Sequence, residues 1–188
     1  MNEELKIGRE LVEKLSKRET DINSHLWALF NLVVDLKAKM VVELGAGQST
    51  YVLLAAAKET GGEFYSVDLD PSAHQRGFPE GKGILQREPC YHFIGGNDME
   101  IVKTWNQEID LLFIDTSHQL QHTYDELKEW GKWVRVGGKI AMHDTYHTRG
   151  HAVDCRVGLE NFLKDNPGLY SAIHNQDQGG FSVLTKLK

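Results

Sequence analysis

The chain has 188 residues, of which 40% are hydrophobic and 26% charged, and its formal net charge at pH 7 is -6. That length fits one domain able to bury roughly 70% of its unfolded surface. An acidic balance without a basic stripe argues against a nucleic-acid groove, and no apolar run approaches the roughly 20 residues that cross a bilayer.

The N-terminus, Met1-Asn-Glu-Glu-Leu-Lys6, lacks an apolar signal core, so a cytoplasmic protein with no membrane partner is expected. Residues 3 to 17 read as a charged amphipathic helix with Leu5, Leu11, Val12 and Leu15 on one side. Thr20 or Asp21 is placed to cap a second, more apolar helix from Ile22 to Leu36, with Leu29, Leu32, Val33 and Leu36 in the core. Met40, Val41, Val42 and Leu44, interrupted by Glu43, form a β-branched run expected of a central parallel strand. Gly45 and Gly47 follow, both read as supplying positive φ and bare backbone to a ligand. Gln48 or Ser49 then opens a helix running to about Lys58, whose first amides point at the bound molecule.

Glu63 to Asp70 reads as the second strand, and its Asp68 stands 23 residues after Gly45. A carboxylate there can accept hydrogen bonds from two ribose hydroxyls. Residues 71 to 89, with Gly77, Pro79, Gly81 and Gly83, should be mostly loop. The third strand is Tyr91 to Ile94, followed by Gly95-Gly-Asn-Asp98 and a short helix through Trp105 that Asp98 is placed to cap. Ile109 to Asp115 is a strong apolar fourth strand, and its helix spans about Gln119 to Val134 with Leu120, Leu127 and Trp130 inward. Gly137 to His143 supplies the fifth strand, Tyr146 to Asp154 a loop over the site, and residues 159 to 165 a last helix. Leu169 to His174 and Gly180 to Lys186 flank a polar turn and read as an antiparallel hairpin.

Strands alternating with helices imply an α/β domain with a buried, mostly parallel, doubly wound Rossmann-like sheet, here closed by an antiparallel hairpin with helices on both faces. Ligands then belong at the carboxyl ends of strands one, two, four and five. Paired acids at Asp115 and Asp144 can hold a hard cation such as Mg2+. A dinucleotide fingerprint would place a third glycine at position 50, where Thr50 stands, which weighs against an NAD(P)-binding oxidoreductase. His143, His147 and His151 recur every four residues, but the preceding strand and Gly150 argue against a zinc-binding helix. Cys90 and Cys155 have neither ligand nor disulfide spacing and read as reduced, buried thiols.

Glu43-x-Gly45-x-Gly47 resembles the first motif of class I S-adenosylmethionine (SAM) methyltransferases, and the strand order continues that likeness. The signatures Phe113-Ile-Asp-Thr-Ser-His118 and His143-Asp-Thr145 resemble a small bacterial methyltransferase family related to the metal-dependent catechol-type O-methyltransferases. The resemblance implies transfer of a methyl group from SAM to oxygen on a small hydroxylated molecule, with or without a divalent cation. It implies SAM contacts from Glu43, Gly45, Ala46, Gly47, Ser49 and Asp115, a ribose contact from Asp68, adenine packing on Leu69, and a contact from Asn97 or Asp98 to the adenine amino group. Asp115 and Asp144 would be the metal ligands; catechol-type enzymes carry an Asn after the second acid, where this chain has Thr145, a poorer ligand. His118 stands where those enzymes carry a basic lysine, and an imidazole with an unperturbed pKa near 6.5 is the expected general base, paired with Asp115. The N-terminal helices, residues 1 to 37, are expected to close over the cofactor or to build a homodimer contact. A module that binds SAM without catalysis is the remaining alternative.

Overall fold

The computed structural model describes residues 6–146 and 151–188. Seven strands, β1 (Met40–Leu44), β2 (Glu63–Asp68), β3 (Tyr91–Gly95), β4 (Ile109–Ile114), β5 (Val134–His143), β6 (Tyr170–Asn175) and β7 (Phe181–Lys186), form one sheet in the order β3-β2-β1-β4-β5-β7-β6. The first five are parallel, while β7 runs antiparallel to both β5 and β6. The chain leaves β1 in one direction for β2 and β3 and returns to its other side for β4 and β5. Strand ends diverge beside β1, opening a crevice at the carboxyl edge.

Period-two alternation divides the apolar residues between two cores. Val41, Leu111, Phe113, Ala141 and Phe181 face α1 (Arg9–Ser16), α2 (Leu26–Leu36) and α3 (Ser49–Thr60). Val42, Leu44, Leu112, Ile114, Ile140 and Met142 face α6 (Leu120–Trp130) and α7 (His151–Asp165). Two short helices, α4 (Ala73–Gly77) and α5 (Asp98–Ile101), complete the set of α-helices among the described residues. The N-terminal helices thus contribute one layer of the core, with Leu11, Val12, Leu15, Leu29, Phe30 and Val33 buried. No helix among the described residues is long and apolar enough to cross a membrane.

Several boundaries differ from the sequence reading. The first helix begins at Arg9; residues 6 to 8 precede it and 1 to 5 lie outside the described residues. The second begins at Leu26 after a 3-10 turn at Asn23–His25, and neither Thr20 nor Asp21 caps it. Thr20 Oγ1 instead donates to Gln48 Oε1 at 2.8 Å, and Gln48 Nε2 donates to the Leu15 carbonyl at 3.0 Å, so a tertiary tie to the glycine turn replaces the local cap. β2 stops at Asp68, where the Asp70 amide donates to Asp68 Oδ1 and bends the chain away. Segment 71–89 is mostly irregular, with α4 and two 3-10 turns inside it.

β5 starts at Val134, earlier than Gly137, because a register shift between Ile109 and Leu111 on β4 lets the strand run through its glycine pair. The last helix starts at His151, eight residues before 159, so His151 to Asp154 are helical and only 147 to 150 lie outside the described residues. Gly158 obscures that helix in the sequence. A Cβ there would lie 2.7 Å from the Leu120 carbonyl oxygen, so the glycine permits α7 to press on α6. His143 ends β5 and His151 opens α7, so the two do not share a helix; His147 lies outside the described residues. Cys155 is buried as expected, whereas Cys90 is half-buried; both are free.

Candidate active site

A crevice of about 480 Å³ opens at the carboxyl ends of β1 to β4. Its floor is the turn after β1. Gly45 has φ +88°, and a Cβ on it would stand 2.0 Å from the Asp115 carbonyl oxygen, so only glycine fits where β1 passes the end of β4. The Asp115 amide donates to the Leu44 carbonyl at 2.9 Å, joining the two strand ends through backbone. Gly47 differs from the sequence expectation: its φ is not positive, and among the described residues nothing lies within 4 Å of where its Cβ would be.

Glu43 lies beneath this floor, fully buried. Ser49 Oγ donates to its Oε1, while Thr50 Oγ1 and Ser66 Oγ donate to Oε2 at 2.7 and 2.8 Å. Burial raises its carboxyl to about 7, against the opposing pull of the three hydroxyls. Thr50 Oγ1 also accepts from the Gly47 amide at 3.0 Å. The residue in the place of a third fingerprint glycine therefore fastens the turn to the buried acid. Glu43 and Ser49 support the crevice from below and do not line it.

Gly45, Ala46, Asp68, Leu69, Asn97, Asp98 and Asp115 all reach its wall. Asp68 Oδ2 accepts from the Ala46 amide and Oδ1 from the Asp70 amide, both at 2.8 Å, which aligns the carboxylate and leaves lone pairs for further donors. Leu69 is held 76% exposed at the crevice edge. Asn97, and not Asp98, caps α5: its side chain accepts from the Met99 amide at 2.8 Å. Asp98 is freed to meet His122 on α6, with Oδ1 3.4 Å from Nε2.

Asp115 is also the edge of a second group. His118 Nε2 lies 3.1 Å from Asp115 Oδ1 and 3.4 Å from Asp144 Oδ2. Both His118 and Asp144 hold left-handed backbone conformations, φ 55° and 53°, which are costly for residues with a Cβ. The hydrogen bond to Asp115 raises the His118 pKa above the ordinary 6.5 despite partial burial, so this imidazole holds its proton more firmly than a free one. His143 Nδ1 lies 3.5 Å from Asp144 Oδ1 behind them. The Thr145 hydroxyl is engaged with Ser182 Oγ at 2.6 Å and is unavailable as a ligand. Donor atoms of Asp115, His118 and Asp144 all fall within 4.8 Å of one another, a spacing on which a single divalent cation can close.

Sequence reasoning did not pick out His122 or Glu126. Their four-residue spacing on the helix read from Gln119 would have paired them on one face, but neither belongs to a motif.

Residues 42–145 match the family described as a methyltransferase domain. Solved structures share the fold at low identity. The methyltransferase PaMTH1 of Podospora anserina, bound to S-adenosylhomocysteine (SAH), is 16% identical with a TM-score of 0.64, covering 95% of this chain and 87% of its own. The O-methyltransferase TomG of Streptomyces achromogenes, in complex with SAM, is 14% identical with a TM-score of 0.70, covering 98% and 92%. An O-methyltransferase of Bacillus cereus in complex with SAH is 13% identical with a TM-score of 0.66, covering 95% and 91%.

Proposed function

Since the chain belongs to the methyltransferase domain family, we propose that it moves a methyl group from SAM to an oxygen of a small hydroxylated molecule. The observation that carries this reading is the Asp68 carboxylate, aligned by the Ala46 amide at the mouth of a crevice floored by Gly45. When bound, SAM supplies an electrophilic methyl group on a sulfonium. Asp68 takes the ribose hydroxyls as an ionised acceptor, with bonds about twice as strong as those between neutral partners. Leu69 offers an apolar surface to the adenine, and the open space above Gly47 admits the ligand to the backbone. Three neighbours of the same fold carry SAM or SAH in their solved structures, which supports the cofactor.

The acceptor is placed over Asp115 and His118. Donation of Nε2–H to Asp115 fixes the imidazole tautomer and leaves Nδ1 to take the proton of the acceptor hydroxyl, the logic of an acid–histidine pair. Holding the acceptor oxygen in line with the methyl carbon contributes about 7 to 11 kcal/mol. A second reading rests on the convergence of Asp115, His118 and Asp144. A divalent cation held by these residues would lower the pKa of an acceptor hydroxyl.

Calorimetry with SAH tests the cofactor assignment: micromolar binding is expected, reduced about tenfold or more in Asp68→Ala. Binding of NAD and not SAH would overturn it.

A further inference from the structure

His122 is a crevice residue that no motif accounts for. It projects from α6 into the wall, with Nε2 3.4 Å from Asp98 Oδ1 and 3.4 Å from Glu126 Oε1. Glu126 is fully buried; its Oε1 also accepts from Thr116 Oγ1 at 2.8 Å, and its Oε2 has no hydrogen-bond partner among the described residues. A carboxylate so placed is tolerated when a cation faces it. Here burial raises the pKa of the Glu126 carboxyl, the facing imidazolium pulls it back down, and the two acids raise the His122 pKa to about 10. A proton held that firmly also resists replacement by a metal ion, although the three side chains have ligand-like spacing.

The arrangement leaves an asymmetric donor. Nε2 is the nitrogen that lies 3.4 Å from each of the two acids, while Nδ1 has no hydrogen-bond partner among the described residues and is not sealed from the crevice. Asp98 Oδ2 is buried, so the carboxylate turns its Oδ1 side, next to the imidazole, toward the crevice. One acceptor and one N–H donor, carried by the neighbouring side chains of Asp98 and His122, therefore stand at the β3 end of the crevice. With a ribose on Asp68 at the end of β2, the attached base extends toward this end. Adenine presents a matching edge, an amino donor beside a ring-nitrogen acceptor.

We propose that His122 is the base-reading residue of the cofactor site: clasped by Asp98 and Glu126, it donates from Nδ1 to a ring nitrogen of adenine and selects against purines that carry a donor there. This rests on the SAM reading of the crevice given above. The test is calorimetry of the full chain with SAH and with its hypoxanthine counterpart, S-inosylhomocysteine, whose base has lost the amino group and carries N1–H. The unaltered protein is expected to prefer SAH by about tenfold or more. His122→Leu is expected to lose about 10- to 100-fold in SAH affinity, the range of a hydrogen bond to a charged group, and to lose at least threefold of its preference between the two ligands, the remainder coming from Asp98, which faces an oxygen in place of the amino group. Because His122→Leu strands a buried carboxylate, His122→Leu/Glu126→Gln serves as the second variant, and the same loss of preference is expected of it. A merely structural clasp would weaken both ligands equally and leave their ratio intact; that result, or unchanged SAH affinity, overturns the proposal. Absence of SAH binding by the unaltered chain would instead remove the cofactor reading, and this inference with it.

Discussion

Gly45 and Gly47 look alike in the sequence and do opposite things. Gly45 is required by the chain itself, since a methyl group there would overlap the Asp115 carbonyl. Gly47 is required by nothing among the described residues. Gly45→Ala is therefore expected to lower stability by about 2 kcal/mol or more in urea titration, from overlap plus positive φ. Gly47→Ala should fold with nearly unchanged stability yet bind SAH at least several-fold more weakly. His118 gives a second prediction. A general base must be unprotonated, and its pKa lies above 6.5 because Asp115 stabilises the imidazolium. Turnover should therefore fall as pH drops through that raised value, and replacing Asp115 by Asn should shift the fall to lower pH. An unshifted profile would remove His118 from the proton step.

At the scale of elements, the sheet was legible because its apolar runs are short, β-branched and punctuated by glycine, and the strand starts at 40, 63, 91 and 109 agree with the sequence reading. What escaped were ends decided by distant partners. Thr20 looks like a cap but is claimed by Gln48, and Asp98 looks like one but yields to Asn97. The first half of α7 is the largest case: the sequence reading starts that helix at 159, just after Gly158, and assigns Tyr146 to Asp154 to a loop. In the site, the strand-end acids were visible from their positions, whereas His122 and Glu126 acquire meaning only when α5 and α6 come together. Gly158→Ala should accordingly destabilise the fold by about 1 to 3 kcal/mol despite alanine's better helix propensity, because its Cβ meets backbone on α6. Stabilisation measured by chemical denaturation would contradict this.

At the scale of the whole molecule, the docking of α5 against α6 is linked to pH through His122. Its pKa is raised from 6.5 to about 10 on folding, so its contribution is fully present below 6.5 and is lost as pH rises toward about 10. The melting temperature should fall over that interval, and more steeply than in His122→Leu/Glu126→Gln. Equal slopes would show that the clasp contributes nothing to stability. The joint between β1 and β4 acts over a similar range. Because Gly45 abuts the Asp115 carbonyl and the Asp115 amide holds Leu44, the ledge proposed for the methyl donor and the ledge proposed for the acceptor are clamped together by main-chain contacts alone. The gap between reactants is then gauged by peptide geometry, so evolution can redecorate the acceptor side with new side chains while the reach of the transferred carbon stays constant.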